Sequence, residues 1–320
     1  MARRDNPLDG KLVVITGGSG FVGGHLAQAL LARGARLRIV SRHPERAFRL
    51  RPLANLGQVQ FARGDTTRPE TIQAAFAGAY GAVNLVGAFA GDLEALQGEG
   101  AGRIAALVRQ AGAGAFVHVS ALGADERSES DYARTKAEGE VAVRAAFPSA
   151  TILRPPVLFG EDDAFVNMFA KLIGRFPVLP VFGPDAKLQP LNVDDASEAI
   201  ANALADPAAH GGKTYEIAGP EAISMLELNR RIAAAQGRSP ALIPLPDAVS
   251  QAFATLTGWL PGAPLTRDQW TLLKTGSALC GKNGLSALGV APRPLGLFLD
   301  RWMVRYRKHG RFGAKVRAPR

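Results

Sequence analysis

The chain has 320 residues, 47% of them apolar, which suits one large domain or two unequal ones and excludes disorder along its length. Its single cysteine, Cys280, rules out an internal disulfide and reads as a small buried hydrophobe in a reducing compartment. The net charge of +10 is concentrated: the last twenty residues carry eight Lys or Arg and no acid, leaving about +2 elsewhere. No run of eighteen apolar residues occurs, so no transmembrane helix is expected. Only ten residues precede the first strand-like run, "KLVVIT", which is short for a signal or transit peptide; the expected location is the compartment of synthesis.

Short apolar runs stand at 11–16, 36–41, 58–62, 81–86, 114–120 and 150–154, separated by amphipathic stretches such as "FVGGHLAQALLARG" and "GRIAALVRQAG". This βαβ alternation predicts an α/β fold, a Rossmann-like doubly wound parallel sheet, over residues 1–155. After "LRPPVLFG" (153–160) the rhythm breaks and prolines multiply, which predicts a smaller mixed lobe over 156–264 with segments returning to the core. One helix is expected there at 247–259. Residues 265–320 read as a basic C-terminal extension. Its stretch "PLGLFLDRWMVRYRK" spaces Leu297, Phe298, Trp302 and Tyr306 near a helical period. That face either reaches a partner or an anionic membrane surface, or packs back on its own domain.

The first loop carries the strongest signal. "VVITGGSGFVGGHL" places Gly17, Gly20 and Gly23 between a strand and a helix. In a dinucleotide site the first glycine permits the turn and the second admits the pyrophosphate. The third lets the helix approach the strand, and the helix N-terminus faces the phosphates. Ser19, Phe21 and Val22 complete this candidate loop. His25 is simply a residue of the following helix.

The second strand ends at Ser41, followed by Arg42, where an NAD-type site would place Asp or Glu. A carboxylate there repels a 2′-phosphate, whereas a hydroxyl and a guanidinium bind it, so NADP(H) is expected rather than NAD(H). Arg46 reads as a solvated arginine. Asp65, with Thr66 beside it, either accepts from an adenine amino group or caps the helix begun by "TRPE". Gly87 and Ala88 end the fourth strand, where bulk would meet the nucleotide.

"SDYARTK" places Tyr132 and Lys136 on one helical face, where an ammonium beside a phenol favours proton donation or acceptance. Ser120 closes the fifth strand, as a third hydroxyl of an active site or as a polar strand-end residue. Arg154 and Pro155 end the sixth strand, Pro155 as a candidate contact on the cofactor side and Arg154 as half of an ion pair. The five histidines are scattered, so no metal spacing appears, and there is no P-loop or G-x-S-x-G elbow.

With these motifs in hand, the chain resembles the extended or atypical branch of the short-chain dehydrogenase/reductase superfamily, whose Tyr-x-x-x-Lys pair stands beside the nicotinamide ribose. The segment "PLNVDD" (190–195) is similar to that branch too. The stretches "VHVSALGADERSESDYARTKAEGE", "FPSATILRPPVLFGEDDAFVNMF", "LTRDQWTLLK" and "LGVAPRPLGLFLDRWMVRYRKHGRF" resemble one group within it, over nearly the whole chain. That group is the dehydrogenase-like accessory subunit of respiratory complex I, NADH:ubiquinone oxidoreductase.

The resemblance implies a tightly held NADPH with a structural and assembly role, and other complex I subunits as partners. It also implies a peripheral position on the hydrophilic arm near the membrane. The Ala/Arg-rich composition looks bacterial, which would put the protein on the cytoplasmic side of the inner membrane. No nucleic-acid partner is expected. The alternative is a free-standing NADP-dependent reductase or epimerase, with Tyr132 as proton donor, Lys136 on the ribose and Ser120 as the hydroxyl. Against turnover, Ala121 and Leu122 stand where catalytic members of that branch tend to carry their hydroxyl.

Overall fold

The computed structural model describes residues 6–258, 265–308 and Gly310. In chain order the strands are β1 Leu12–Thr16, β2 Arg36–Ser41, β3 Val59–Arg63, β4 Gly81–Asn84, β5 Ala115–Val119, β6 Thr151–Arg154, β7 Leu158–Phe159, β8 Val178–Val181, β9 Lys187–Leu188, β10 Leu191–Asn192, β11 Thr214–Glu216, β12 Ile223–Ser224 and β13 Ala241–Pro244. The α-helices are α1 Phe21–Ala32, α2 Glu99–Gln110, α3 Asp131–Ala146, α4 Phe165–Arg175, α5 Val193–Ala205, α6 Pro207–His210, α7 Met225–Ala235, α8 Asp247–Thr257, α9 Arg267–Thr275 and α10 Gly296–Trp302.

Seven strands form one parallel sheet in the order β11-β6-β5-β4-β1-β2-β3. The six apolar runs expected from sequence became β1 to β6, and the chain order reverses between β1 and β4. That reversal opens a crevice at the carboxyl ends of the two strands, where doubly wound sheets bind nucleotides. The expected run 81–86 stops as a strand at Asn84, because the Asn84 carboxamide turns back to accept the Val86 N–H at 3.1 Å.

The chain divides into two compact units. The first comprises Met1–Pro155, Val193–Ile217 and Gly281–Ala291, and contains the whole seven-stranded sheet. One face of that sheet buries Val14, Val40, Ala82 and Phe116 against Ile104 and Val108 of α2 and Val143 of α3. On α1, His25 bonds Asp194 of α5 at 2.6 Å, and Arg33 reaches Glu198 and Asn202 of the same helix. The edge strand β11, Thr214–Glu216, is not among those six runs. Its three residues lack the buried alternation that marks a strand.

The second unit comprises Pro156–Asn192, Ala218–Cys280 and Pro292–Arg320. Its core gathers Phe159, Val166, Ile173, Leu179, Leu228 and Ile232 with Leu295, Leu299 and Met303 from the C-terminal segment. Phe298, Trp302 and Tyr306 also pack on this core, and Tyr306 donates to Asn167 Oδ1 at 2.7 Å. The aromatic face of the extension therefore packs back on its own unit, and of its four spaced residues Leu297 is the large hydrophobe left exposed. Basic residues Arg311, Lys315, Arg317 and Arg320 lie outside the described residues, as does Trp259 at the end of the expected helix 247–259. Cys280, expected to be buried, is exposed, because it falls in an irregular turn rather than in an element with a core face. Among the described residues, no helix is long and apolar enough to cross a membrane.

Candidate functional site

The glycine loop is held by close packing. Gly17 has φ +74°, and a Cβ there would come within 3.1 Å of the Leu85 carbonyl carbon; one on Gly23 would lie 2.5 Å from the Gly18 Cα. Non-glycine residues would push β1, the β4 loop and α1 apart. Gly20 caps α1, whose first turn, with Phe21 and Val22 at its start, carries no acidic side chain to compete with an anion. Ser19 and Ser41 come together, hydroxyl to hydroxyl, at 2.6 Å, so the glycine loop and the end of β2 share one polar corner. Ser41 Oγ also accepts the His43 N–H at 3.1 Å.

Asp65 does not cap a helix. Its Oδ1 accepts both the N–H (2.9 Å) and the hydroxyl (2.8 Å) of Thr67, closing a local turn beside the buried Thr66. Those Thr67 bonds, and then the charges of Arg42 and Arg68, hold its carboxyl below the usual range. Two exposed guanidinium groups thus stand near the end of β2 and β3. Arg42 was expected there and Arg68 was not, since it lies 26 residues away in sequence.

Helix α3 positions the tyrosine–lysine pair. Ser130 caps it by accepting from the Ala133 N–H, and Arg134 pairs with Asp131 and Glu138, each at 2.8 Å. Tyr132 and Lys136 follow one turn apart, with the ammonium 6.0 Å from the tyrosine ring centre. Phe89, itself 57% exposed, stacks on the Tyr132 ring at 4.4 Å with the planes 16° apart.

Lys136 is buried, and its Nζ donates to Val86 O and Val119 O, each at 3.2 Å. Burial pulls its pKa down to about 8, with the Glu140 carboxylate acting the other way. A Cβ on Gly87 would stand 3.1 Å from that ammonium, so any larger residue there would require the lysine to shift. The next residue, Ala88, donates its N–H to Gln97 Oε1, and the fully buried Gln97 donates in turn to Thr135 of α3.

Ser120 lies just past β5, 3% exposed, with its Oγ unpartnered. Its neighbour Val119 supplies one of the Lys136 acceptors, so strand end and lysine are in register. Pro155 is buried, and its carbonyl accepts the Leu122 N–H at 2.8 Å, tying the β5 loop to the end of β6. Arg154 holds the buried Glu140 through two 2.8 Å bonds and also pairs with Glu216 of β11. That ion pair fixes α3 to the sheet edge.

The structure thus gathers Gly17, Ser19, Gly20, Gly23, Ser41, Arg42, Gly87, Ala88, Ser120, Tyr132 and Lys136 along one carboxyl edge. These residues fit a dinucleotide: an open helix N-terminus for phosphates, hydroxyls and guanidinium groups at β2, and an ammonium beside a glycine at β4. Sequence reasoning missed Arg68, Phe89, Gln97 and the buried Asn84 and His118. A histidine inside the apolar run "AFVHV" was the one visible signal among them. Among the described residues no His/Cys/Asp/Glu group is placed to hold a metal.

Comparison with known proteins agrees with this geometry. Residues 17–169 match the family model described as NAD(P)H-binding. The chain is 30% identical to the mitochondrial NADH dehydrogenase (ubiquinone) 1 alpha subcomplex subunit 9 of Arabidopsis thaliana, over 97% of this chain and 81% of that protein. The match to the subunit of the same name from Dictyostelium discoideum spans 60% of that relative's length. A ceramide reductase of Caulobacter vibrioides is 35% identical, over 78% of each chain. Among solved structures, a Citrobacter triphenylmethane reductase complexed with NADP(H) superposes with a TM-score of 0.71 at 19% identity, covering 91% of this chain and 99% of that one. On these grounds the chain belongs to the NAD(P)H-binding family that includes subunit 9 of the mitochondrial NADH dehydrogenase alpha subcomplex.

Proposed function

We propose that this protein is an NADP(H)-holding accessory subunit of complex I, in which the nucleotide completes the fold of the first unit rather than turning over. The observation that carries this reading is the extent of the likeness: the match to the plant subunit runs over 97% of the chain, well beyond the nucleotide-binding part. Ser41, Arg42 and Arg68 would hold a 2′-phosphate, the start of α1 the pyrophosphate, and Lys136 and Tyr132 the nicotinamide ribose. Phe89 covers one face of the Tyr132 ring, which suits a residue that anchors a nucleotide. The protein would sit peripherally, on the cytoplasmic side of a bacterial inner membrane. With the aromatic part of the extension turned inward, any contact with anionic lipid would fall to its basic residues. In mild-detergent extracts the protein should migrate with a large NADH-oxidising assembly; migration as a free monomer or small oligomer would end this reading.

A second reading, a free-standing NADP-dependent reductase, is favoured by a different observation. Lys136 stands 6.0 Å from the Tyr132 ring and donates to Val119 O, next to Ser120, and the Caulobacter ceramide reductase is 35% identical. When bound, the nucleotide would supply hydride. The protein's own part would be to offer a proton at Tyr132 Oη and keep Lys136 charged beside it. This reading predicts free migration together with NADPH consumption on a ceramide-type carbonyl substrate. Loss of consumption in Tyr132→Phe would assign the activity to this site.

A further inference from the structure

Behind the crevice a row of polar side chains crosses the sheet. Thr16, Asn84 and His118 are paired across β1, β4 and β5, and all three are 0% exposed. Their bonds fix the direction of every proton. The Val86 N–H can only donate, so the Asn84 atom 3.1 Å away is its carbonyl oxygen, which also accepts from Thr16 Oγ1 at 2.8 Å. The Asn84 NH₂ group then faces His118 Nδ1 at 3.1 Å and donates to it. With Nδ1 accepting, the neutral imidazole carries its hydrogen on Nε2. Burial keeps the ring neutral, pulling its pKa down to about 3, and the charge of Lys136 on α3 acts in the same direction.

That Nε2–H has no partner, and neither has Ser120 Oγ. Residues 118 and 120 are two apart on one extended segment, so their side chains share a face about 7 Å apart at the backbone. A buried donor left unsatisfied costs roughly 1–3 kcal/mol. Two such groups share one face with no bond between them, and a single bridging molecule of water size would satisfy both.

We propose that one internal water molecule bridges His118 Nε2–H and Ser120 Oγ, and that His118 is thereby the positioning residue of the Ser120 hydroxyl. The Thr16–Asn84–His118 row sets the tautomer, the tautomer sets the water, and the water sets which way Ser120 points at the crevice. The bridge itself needs no turnover; only its consequence for chemistry rests on the reductase reading.

The test uses the full chain labelled with ¹⁵N-histidine, with NADPH present. One imidazole should remain neutral at pH 6 with an unprotonated Nδ1, and its slowly exchanging Nε2–H should show a cross-peak to bound water. Asn84→Leu should abolish the single tautomer. Ser120→Ala should keep the tautomer and shift or remove the water cross-peak. An Nδ1-protonated ring, a ring charged at pH 6, or an Nε2–H without a water contact would overturn the proposal. If the protein proves to reduce a carbonyl, His118→Leu should lower kcat about tenfold with KM little changed, and His118→Gln, which restores a side-chain N–H, should recover part of it. Equal loss in both variants would deny His118 the positioning role and leave the reductase reading intact.

Discussion

The crevice edge of the first unit and the core of the second differ in how they gather their buried polar groups. Around the crevice the protein buries polar groups: Asn84, Gln97, His118, Ser120, Thr135, Lys136 and Glu140 are all less than 9% exposed. The core of the second unit is an apolar cluster that takes in only scattered polar groups such as Asp163, Asn167, Asn229 and Gln236, and large apolar side chains also remain outside, among them Phe176 and Val178 at β8, Ile243 on β13 and Leu256 on α8. Buried polar groups cost stability unless every one is paired, so their concentration on one edge needs a dense hydrogen-bond network there. An apolar core needs no such pairing and stabilises through area and packing alone.

The sharpest way to break this contrast is in the second unit. Leu299 and Met303 are 3% and 1% exposed within its core, so the double change to alanine should destabilise it by about 4–8 kcal/mol, seen as loss of its unfolding transition. An unchanged transition would mean that the C-terminal segment is an appendage. In the first unit, Arg154→Ala would leave Glu140 buried without its partner and should cost about 3–5 kcal/mol in urea unfolding. Arg154→Ala with Glu140→Gln should recover much of that loss.

Lys136→Met has the opposite expected sign. Folding buries the ammonium and lowers its pKa to about 8, so at neutral pH the charge opposes folding. The nucleotide-free variant should gain about 1–3 kcal/mol in urea unfolding while losing its grip on the nucleotide. Loss of stability with nucleotide retained would contradict the assignment of Lys136 to the ribose.

Acid should act in the same region. The unfolded chain protonates His118 near pH 6.5, whereas the folded ring resists down to about 3, so stability falls as pH drops through that window. Between pH 7 and pH 5 this amounts to about 2 kcal/mol, which His118→Asn should largely remove. A smaller effect is expected from Arg42→Asp, which should weaken NADP(H) retention about tenfold and leave stability unchanged, since Arg42 is exposed. Unchanged retention would shift the 2′-phosphate role to Arg68.

Much of the first region was legible in the sequence because its signals are local. Strand periodicity, a glycine loop spanning seven residues and a Tyr–Lys pair one helical turn apart need no knowledge of distant neighbours. What was missed depends on register. Thr16 and His118 meet only through Asn84, 68 residues from one and 34 from the other, and nothing local announces that pairing. The inward fold of Phe298 and Trp302 was open for the same reason: an amphipathic period shows that a face will be covered, without showing by what. Cys280 was misjudged because residue type was weighed without its element.

The central claim is that the polar crevice exists to hold NADP(H). It is tested most directly by denaturing protein purified without added nucleotide and identifying what it releases. Wild type should release NADP(H) at close to one equivalent per chain, and Lys136→Met should release little. Release of NAD(H), or of no nucleotide from well-folded wild-type protein, would contradict the claim.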